Sequence, residues 1–165
     1  MSQSQIISWR SDDAKNRPIE ASLQCFFTVR LLQFSRGASA MIIMDLEWNC
    51  GSDYSGFDEI LQIGAVRISA FGGCILGTFN VHVRPCVNTT LHPAAAILPE
   101  LWHSFADGVC FPVAFLKFRE WARHEKDYVA WGEDDFRVLQ QNVSFWNLKA
   151  LPIRANFNLQ RGFGQ

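Results

Sequence analysis

The stretch Met41-Ile42-Ile43-Met44-Asp45-Leu46-Glu47-Trp48-Asn49 decides how the chain is read. Its apolar left flank reads as a short strand that runs into two acids. Side chains along a strand alternate faces with period 2. Asp45 and Glu47 therefore project side by side from one face, and Met44, Leu46 and Trp48 occupy the other. Two carboxylates held that close repel each other unless a cation sits between them. Hard oxygen ligands of this kind suit Mg²⁺ or Mn²⁺. Any acidic surface strand can also produce an Asp-x-Glu, as two solvated acids on an exposed edge. The apolar residues before Asp45 argue against that reading, because acids that interrupt a buried strand need a partner.

Outward from this strand, the totals bound the answer. A chain of 165 residues is the size of one domain. Nearly half of it is apolar, with 14 Phe and 6 Trp, which is enough for a core and excludes disorder throughout. The net charge of −1 provides no broad basic surface, so any grip on nucleic acid must be local, and a metal site would supply positive charge. The five cysteines, Cys25, Cys50, Cys74, Cys86 and Cys110, form no Cys-x-x-Cys pair. Their odd number and wide spacing argue against a zinc site or a disulfide framework and fit a reducing cytosol, so a cytoplasmic location is expected. No run of about 18 apolar residues marks a membrane span, and the N-terminus lacks the pattern of a signal peptide. No membrane partner is expected.

Residues 1–40 are mixed in polarity, apart from a locally apolar run from Cys25 to Phe34. They are read as an N-terminal extension, or an upstream mis-start with Met41 as the natural beginning, and 41–165 as the domain. Residues 50–58 form a loop rich in turn formers. Glu59 to Ser69 is β-type, Phe71-Gly72-Gly73 is a turn, and Ile75 to Arg84 alternates as a half-buried strand. Pro85 to Val109 is mostly connection with short helical turns. Pro112 opens a helix to about His124, with Ala114, Phe115, Phe118, Trp121 and Ala122 on one face. Asp127 to Trp131 is a fourth strand, broken by Gly132. A second helix runs from about Glu133 to Trp146, with Phe136, Leu139, Val143 and Trp146 as its stripe. Leu151 to Gln165 is read as a tail. The order βββαβα predicts an α/β domain with a mixed sheet.

Trp131-Gly132-Glu133-Asp134-Asp135 closes a strand and opens a helix. Acids in a first helical turn favour the helix dipole and cap free N–H groups, which accounts for Glu133 and Asp134 without further function.

Three segments carry a resemblance: Ile43 to Asn49, Glu59 to Val66 (with Phe79 to Pro85 after it), and Trp131 to Asp135. In this order they resemble the DEDDh 3′–5′ exonucleases of the ribonuclease H-like superfamily, nearest to the branch of ribonuclease T-like, KapD-like and Eri1-like enzymes. The resemblance covers residues 41 to about 146. It implies a ribonuclease H-like mixed sheet with flanking helices. It also implies hydrolysis of the terminal phosphodiester at the 3′ end of RNA or single-stranded DNA. Two Mg²⁺ or Mn²⁺ ions would bind at Asp45, Glu47, Asp135 and a fourth acid, activating water and stabilising charge on the phosphate. Leu46, Trp48 and Trp131 are the expected substrate contacts, alongside a core role for Leu46 and Trp48.

The departure is at the family's third motif, a His followed five residues later by an Asp. His82, His92, His103 and His124 all precede Asp135, and no His follows it. His103 and Asp107 stand on the wrong side and at spacing four. Asn158-Leu159-Gln160 resembles the family's connection before that piece, with Asn in place of Asp. The chain therefore reads as truncated, with its C-terminal helix, general base and fourth acid missing. Such a loss would expose a sheet face for an oligomer or a partner to cover. Three readings follow: an exonuclease impaired by truncation, a non-catalytic metal- and nucleic-acid-binding module, or a remnant without function.

Overall fold

The computed structural model describes residues 40–50, 56–70, 73–97, 101–130, 132 and 134–158. The expected extension lies outside these residues except for Ala40, as do the Cys25 to Phe34 run, Trp131, Glu133 and everything after Asn158.

Five strands make one mixed sheet. They are β1 (Ala40–Asn49), β2 (Glu59–Ser69), β3 (Ile75–His82), β4 (Asp127–Ala130) and β5 (Ala155–Asn158), in the spatial order β3-β2-β1-β4-β5. The first three are an antiparallel meander, as their alternation and tight connections predict. β4 then pairs with β1 in parallel, and β5 with β4 in parallel. A parallel neighbour needs a crossover, and the segment between β3 and β4 supplies it. Within it lie α1 (Pro93–Ala96), α2 (Trp102–Ala106) and α3 (Phe111–Trp121); α4 (Asp135–Phe145) joins β4 to β5.

β5 corrects the reading of the C-terminal stretch as a tail. Its four residues, Ala-Asn-Phe-Asn, carry too little alternation to announce a strand. What places them is the open edge of β4 and the clasp of Arg154 on the Asp127 carboxylate, Nε to Oδ1 at 3.0 Å. The helix bounds also shift by one to three residues. α3 begins at Phe111, with Pro112 in its first turn, and ends at Trp121 rather than His124. α4 begins at Asp135 rather than Glu133.

Cross-strand rows show how the sheet divides its faces. Met44 stands opposite Ala65, which stands opposite Phe79; Leu46, Ile63 and Val81 form the next row. These side chains point to the helices. They join Phe111, Ala114, Phe115 and Phe118 of α3 and Val138, Leu139 and Val143 of α4 in the main core. Each such large apolar side chain contributes roughly 1.5–3 kcal/mol on burial. The opposite face carries a smaller cluster, Met41, Ile68 and Val129 with Ile43 and Val66 beside it. Further along β1 on that face the apolar residues give way to Asp45 and Glu47. The strand is apolar on both sides at its start and polar on one side at its end, which is what sets the site.

Candidate active site

Asp45 and Glu47 lie in the last half of β1, beyond the register pair Met44–Ala130 that ends its pairing with β4. β1 is also where the chain turns to β2 on one side and β4 on the other. In open α/β sheets, ligands bind outside the carboxyl ends of parallel strands where neighbouring connections diverge in this way. Asp135 sits at the start of α4, just past the carboxyl end of β4, and so reaches the same end of the sheet.

Two backbone donors fix the Asp135 carboxylate. Its Oδ1 accepts the N–H of Leu46 at 2.9 Å, and its Oδ2 accepts the N–H of Gly132 at 2.7 Å. The residue is 1% exposed. Leu46 lies between Asp45 and Glu47, so the third acid is tied to the backbone between the first two. A Cβ on residue 132 would stand 2.6 Å from Asp135 Oδ2, so the approach requires glycine there.

Burial is the main cause that pushes the Asp135 pKa up, to about 6; the Leu46 N–H opposes it and the neighbouring charge of Asp45 adds to it. Asp45 is exposed as a residue, yet the protein packed around it holds its pKa above the usual range by desolvation. Two carboxyls that resist ionising together, one of them through the other's charge, make a place where a cation is favoured.

The donor chemistry therefore fits a hard divalent cation between Asp45 and Asp135, since each Asp135 oxygen keeps a lone pair beside the one its N–H donor uses. Glu47 is half-buried on the sheet face of Asp45. Among the described residues no three His, Cys, Asp or Glu side chains close into a metal-holding group, so the full ligand set of the expected two-ion centre is not assembled by them.

The expected substrate contacts separate. Leu46 spends its side chain in the core at 2% exposure, and it serves the site through its N–H. Trp48 packs half-buried against the same core. Trp131 lies outside the described residues. The His103–Asp107 pair lies on and just after α2, where the Asp107 N–H donates to the His103 carbonyl at 2.8 Å.

Three supporting residues escaped the sequence reading. Glu59, 2% exposed, accepts the N–H groups of Cys86, Val87 and Asn88 at 2.6 to 3.0 Å. Asn49 donates to the Asn88 and Thr90 carbonyls and accepts the His92 N–H at 2.7 Å. Together they fasten the loop after β3 to the site end of β1 and β2. Asn142 of α4 accepts the Ile60 N–H and donates to the Asp58 carbonyl, which fixes the helix bearing Asp135. The signal for all three was a polar residue inside an apolar stripe, and their distant partners lie 27 to 84 positions away. Cys50, Cys74, Cys86 and Cys110 are free thiols.

Solved structures share this architecture. The nuclease domain of 3′hExo, a DEDDh family member, bound to rAMP, superposes with a TM-score of 0.62 at 21% identity over 73% of this chain. The fold is that of the DEDDh exonucleases. Cell-death related nuclease 4 (CRN-4) shares it with a TM-score of 0.57 at 21% identity over 68% of this chain. Product-bound exonuclease I shares it with a TM-score of 0.60 at 14% identity over 75%. The chain spans 66% of the 3′hExo domain, 42% of CRN-4 and 30% of exonuclease I. No family model matches the sequence, and no curated protein matches it. The expected ribonuclease H-like mixed sheet with flanking helices is thus the architecture this chain shares with these nucleases.

Proposed function

We propose that this chain carries a 3′-end nuclease site, a metal-dependent 3′–5′ exonuclease acting on single-stranded RNA or DNA. The observation that supports the reading is the tie of Asp135 to the Leu46 N–H, next in the chain to Asp45. The 3′hExo domain in complex with rAMP and exonuclease I in complex with oligonucleotides support it, as proteins of the same fold.

Asp45 and Asp135, with Glu47 beside them, would hold Mg²⁺ or Mn²⁺. The chemistry supplied by an ion held there would be a lowered pKa for a bound water and stabilisation of charge on the phosphate. Asp135 contributes a carboxylate whose orientation is fixed by two N–H groups and does not have to be found anew. Gly132 leaves space for it. Glu59 and Asn49 hold the 86–92 loop as a rigid flank to the site, and Leu46 and Trp48 anchor β1 from the core side. Discrimination between RNA and DNA would rest on a contact to the 2′-OH.

A binding-only module is the second reading, favoured because among the described residues no three His, Cys, Asp or Glu side chains close into a metal-holding group. A general base typically contributes about 10²–10⁴-fold, so a site without one would bind far better than it cuts. Incubation of the chain with 5′-labelled oligonucleotide in Mn²⁺, with anisotropy and gel analysis of the same samples, separates the two. Shortening from the 3′ end supports the enzyme. Metal-dependent binding without shortening supports the module. Neither binding nor shortening by a folded chain contradicts both.

A further inference from the structure

Two exposed thiols stand where the chain beyond β3 meets the start of α3. Val83 and Val109 form a parallel bridge there. The Val109 N–H donates to the His82 carbonyl at 3.1 Å, and the Arg84 N–H to the Val109 carbonyl at 2.8 Å. Gly108 lets the two backbones close, since a Cβ on it would stand 2.6 Å from the Arg84 nitrogen. Val83 is buried, and the next residue on each segment, Arg84 and Cys110, is exposed, as alternation requires. Pro85 turns inward and Cys86 outward, to the side of Arg84 and Cys110.

The chain bends at residues 86 and 87, and the Cys86 N–H is fixed to the Glu59 carboxylate at 2.6 Å. The Cys86 Sγ–H donates back to the Arg84 carbonyl at 3.5 Å, which brings the sulfur toward the residue next to Cys110 in the bridge. Partial burial is the first cause that pushes the Cys86 thiol up, followed by the charge of Glu59 and then that of Cys110, against Arg84. The two sulfurs thus lie within each other's field. Backbones joined by such a bridge run about 5 Å apart, and a disulfide spans Cα atoms up to about 7 Å apart.

The two thiols differ in their surroundings. Cys110 is the N-cap of α3, a helix of 11 residues, and its side chain makes no capping hydrogen bond. The N–H groups at a helix start favour a negative charge, and the thiolate is the reactive form of cysteine. Cys86 has the Glu59 carboxylate beside it, which disfavours its thiolate. Cys110 is therefore the attacking sulfur and Cys86 the resolving one.

We propose that Cys86 and Cys110 form a reversible oxidation site, at which hydrogen peroxide converts the two thiols to a disulfide. The Cys110 thiolate attacks one peroxide oxygen and the O–O bond breaks. Cys110 becomes a sulfenic acid, and the hydroxide released takes up the proton the thiol gave, leaving as water. The Cys86 sulfur then attacks the Cys110 sulfur, the S–O bond breaks, and the hydroxyl leaves with the Cys86 proton as a second water. The two sulfurs lose two electrons and the peroxide gains them. Thiol exchange with a dithiol reductant restores both cysteines. The bond ties the loop that Glu59 and Asn49 fasten to the sheet onto the start of α3, and closes residues 86–110, with α1 and α2 among them, into one ring. The proposal is independent of the chemistry at Asp45 and Asp135.

The test is thiol mapping of the folded full chain after brief treatment with hydrogen peroxide, by alkylation, proteolysis and mass spectrometry. The expected product is a single chain lighter by two hydrogens, with the peptides of Cys86 and Cys110 joined, and dithiothreitol should reverse it. In Cys86→Ser the second step is lost, and dimedone, which captures sulfenic acids, should label Cys110. Cys110→Ser should form no disulfide, and Cys50→Ser should form it as the wild type does, each with an unchanged circular dichroism spectrum. A folded wild-type chain that forms no bond between Cys86 and Cys110 overturns the proposal. So does a product in which either cysteine pairs instead with another thiol or another copy of the chain. Dimedone labelling of Cys110 in Cys86→Ser no greater than that of Cys74, exposed like it, also overturns it.

Discussion

Asp135 is held by Leu46, a residue 89 positions earlier in the chain, through one hydrogen bond from backbone N–H to carboxylate. The bond joins the first turn of α4 to the middle of the central strand. It brings the Asp135 carboxylate to the backbone of the strand segment that bears Asp45, whose charge acts on it. Four consequences of this arrangement and of its supports can be measured before any activity is assayed.

Gly132→Ala should disturb the acid more than the fold. The added Cβ would meet only the end of the Asp135 side chain, 2.6 Å from Oδ2. The carboxylate must rotate away and lose part of its hold on the Leu46 N–H. We expect stability to fall by about 1 kcal/mol, the worth of one hydrogen bond. Affinity for Mn²⁺ should fall about tenfold or more, as for a displaced orienting contact. Calorimetric titration with Mn²⁺ checks this; unchanged affinity would mean that Asp135 is not a ligand.

The pH dependence of stability follows from the same residue. Folded Asp135 has a pKa of about 6 against an ordinary 3.8. The folded chain therefore binds this proton more tightly than the unfolded one. Stability from this group is full below the unfolded value and is lost as pH rises through 6. The difference corresponds to roughly 3 kcal/mol. In metal-free buffer the melting temperature should thus fall between about pH 4 and pH 7 more steeply in the wild-type chain than in Asp135→Asn. Mn²⁺ at neutral pH should recover part of the loss in the wild type alone. Parallel pH profiles of the two chains would count against a raised pKa.

Glu59→Gln is expected to cost about 2–3 kcal/mol. The carboxylate receives three backbone N–H groups, from Cys86, Val87 and Asn88. An amide in its place turns one acceptor into a donor facing donors. Urea unfolding measures the loss, and hydrogen exchange should show it concentrated at residues 86–88. A change below about 0.5 kcal/mol would show that the loop does not depend on this anchor.

Tyr128→Phe should stabilise the chain by about 1 kcal/mol. Tyr128 is 1% exposed, and its hydroxyl has no hydrogen-bond partner among the described residues. Burial pushes its pKa up to about 12, with Glu125 adding to the rise. Removing an unpaired buried hydroxyl spares its desolvation cost while the ring keeps its packing. A lower melting temperature for the Phe variant would mean that the hydroxyl is bonded.

The sequence made β1, β2, β3 and the two long helices readable because each carries a strong periodic pattern. Met44 and Leu46 point inward and Asp45 and Glu47 do not, as period 2 requires. Asp135 was singled out by the resemblance of Trp131 to Asp135 to the second exonuclease motif, since its place in a first helical turn is common to many acids. Glu59, Asn49 and Asn142 were not. Each is a polar residue whose partner is the backbone of a distant segment, and backbone partners leave no trace in residue type. β5 was hidden for a related reason: four residues with Asn at alternate positions are held by the edge of β4 and by Arg154, not by their own pattern.

The central claim is that the acids at the end of β1 and the start of α4 form one metal-dependent 3′-end site. Digestion of 5′-labelled single-stranded RNA and DNA by the purified chain, with Mg²⁺ or Mn²⁺ and beside Asp45→Ala and Asp135→Ala, tests it most directly. The account predicts a ladder that shortens from the 3′ end in the wild-type chain and is lost in both variants and with chelator. A ladder that persists in either variant, or that survives chelation, would contradict it.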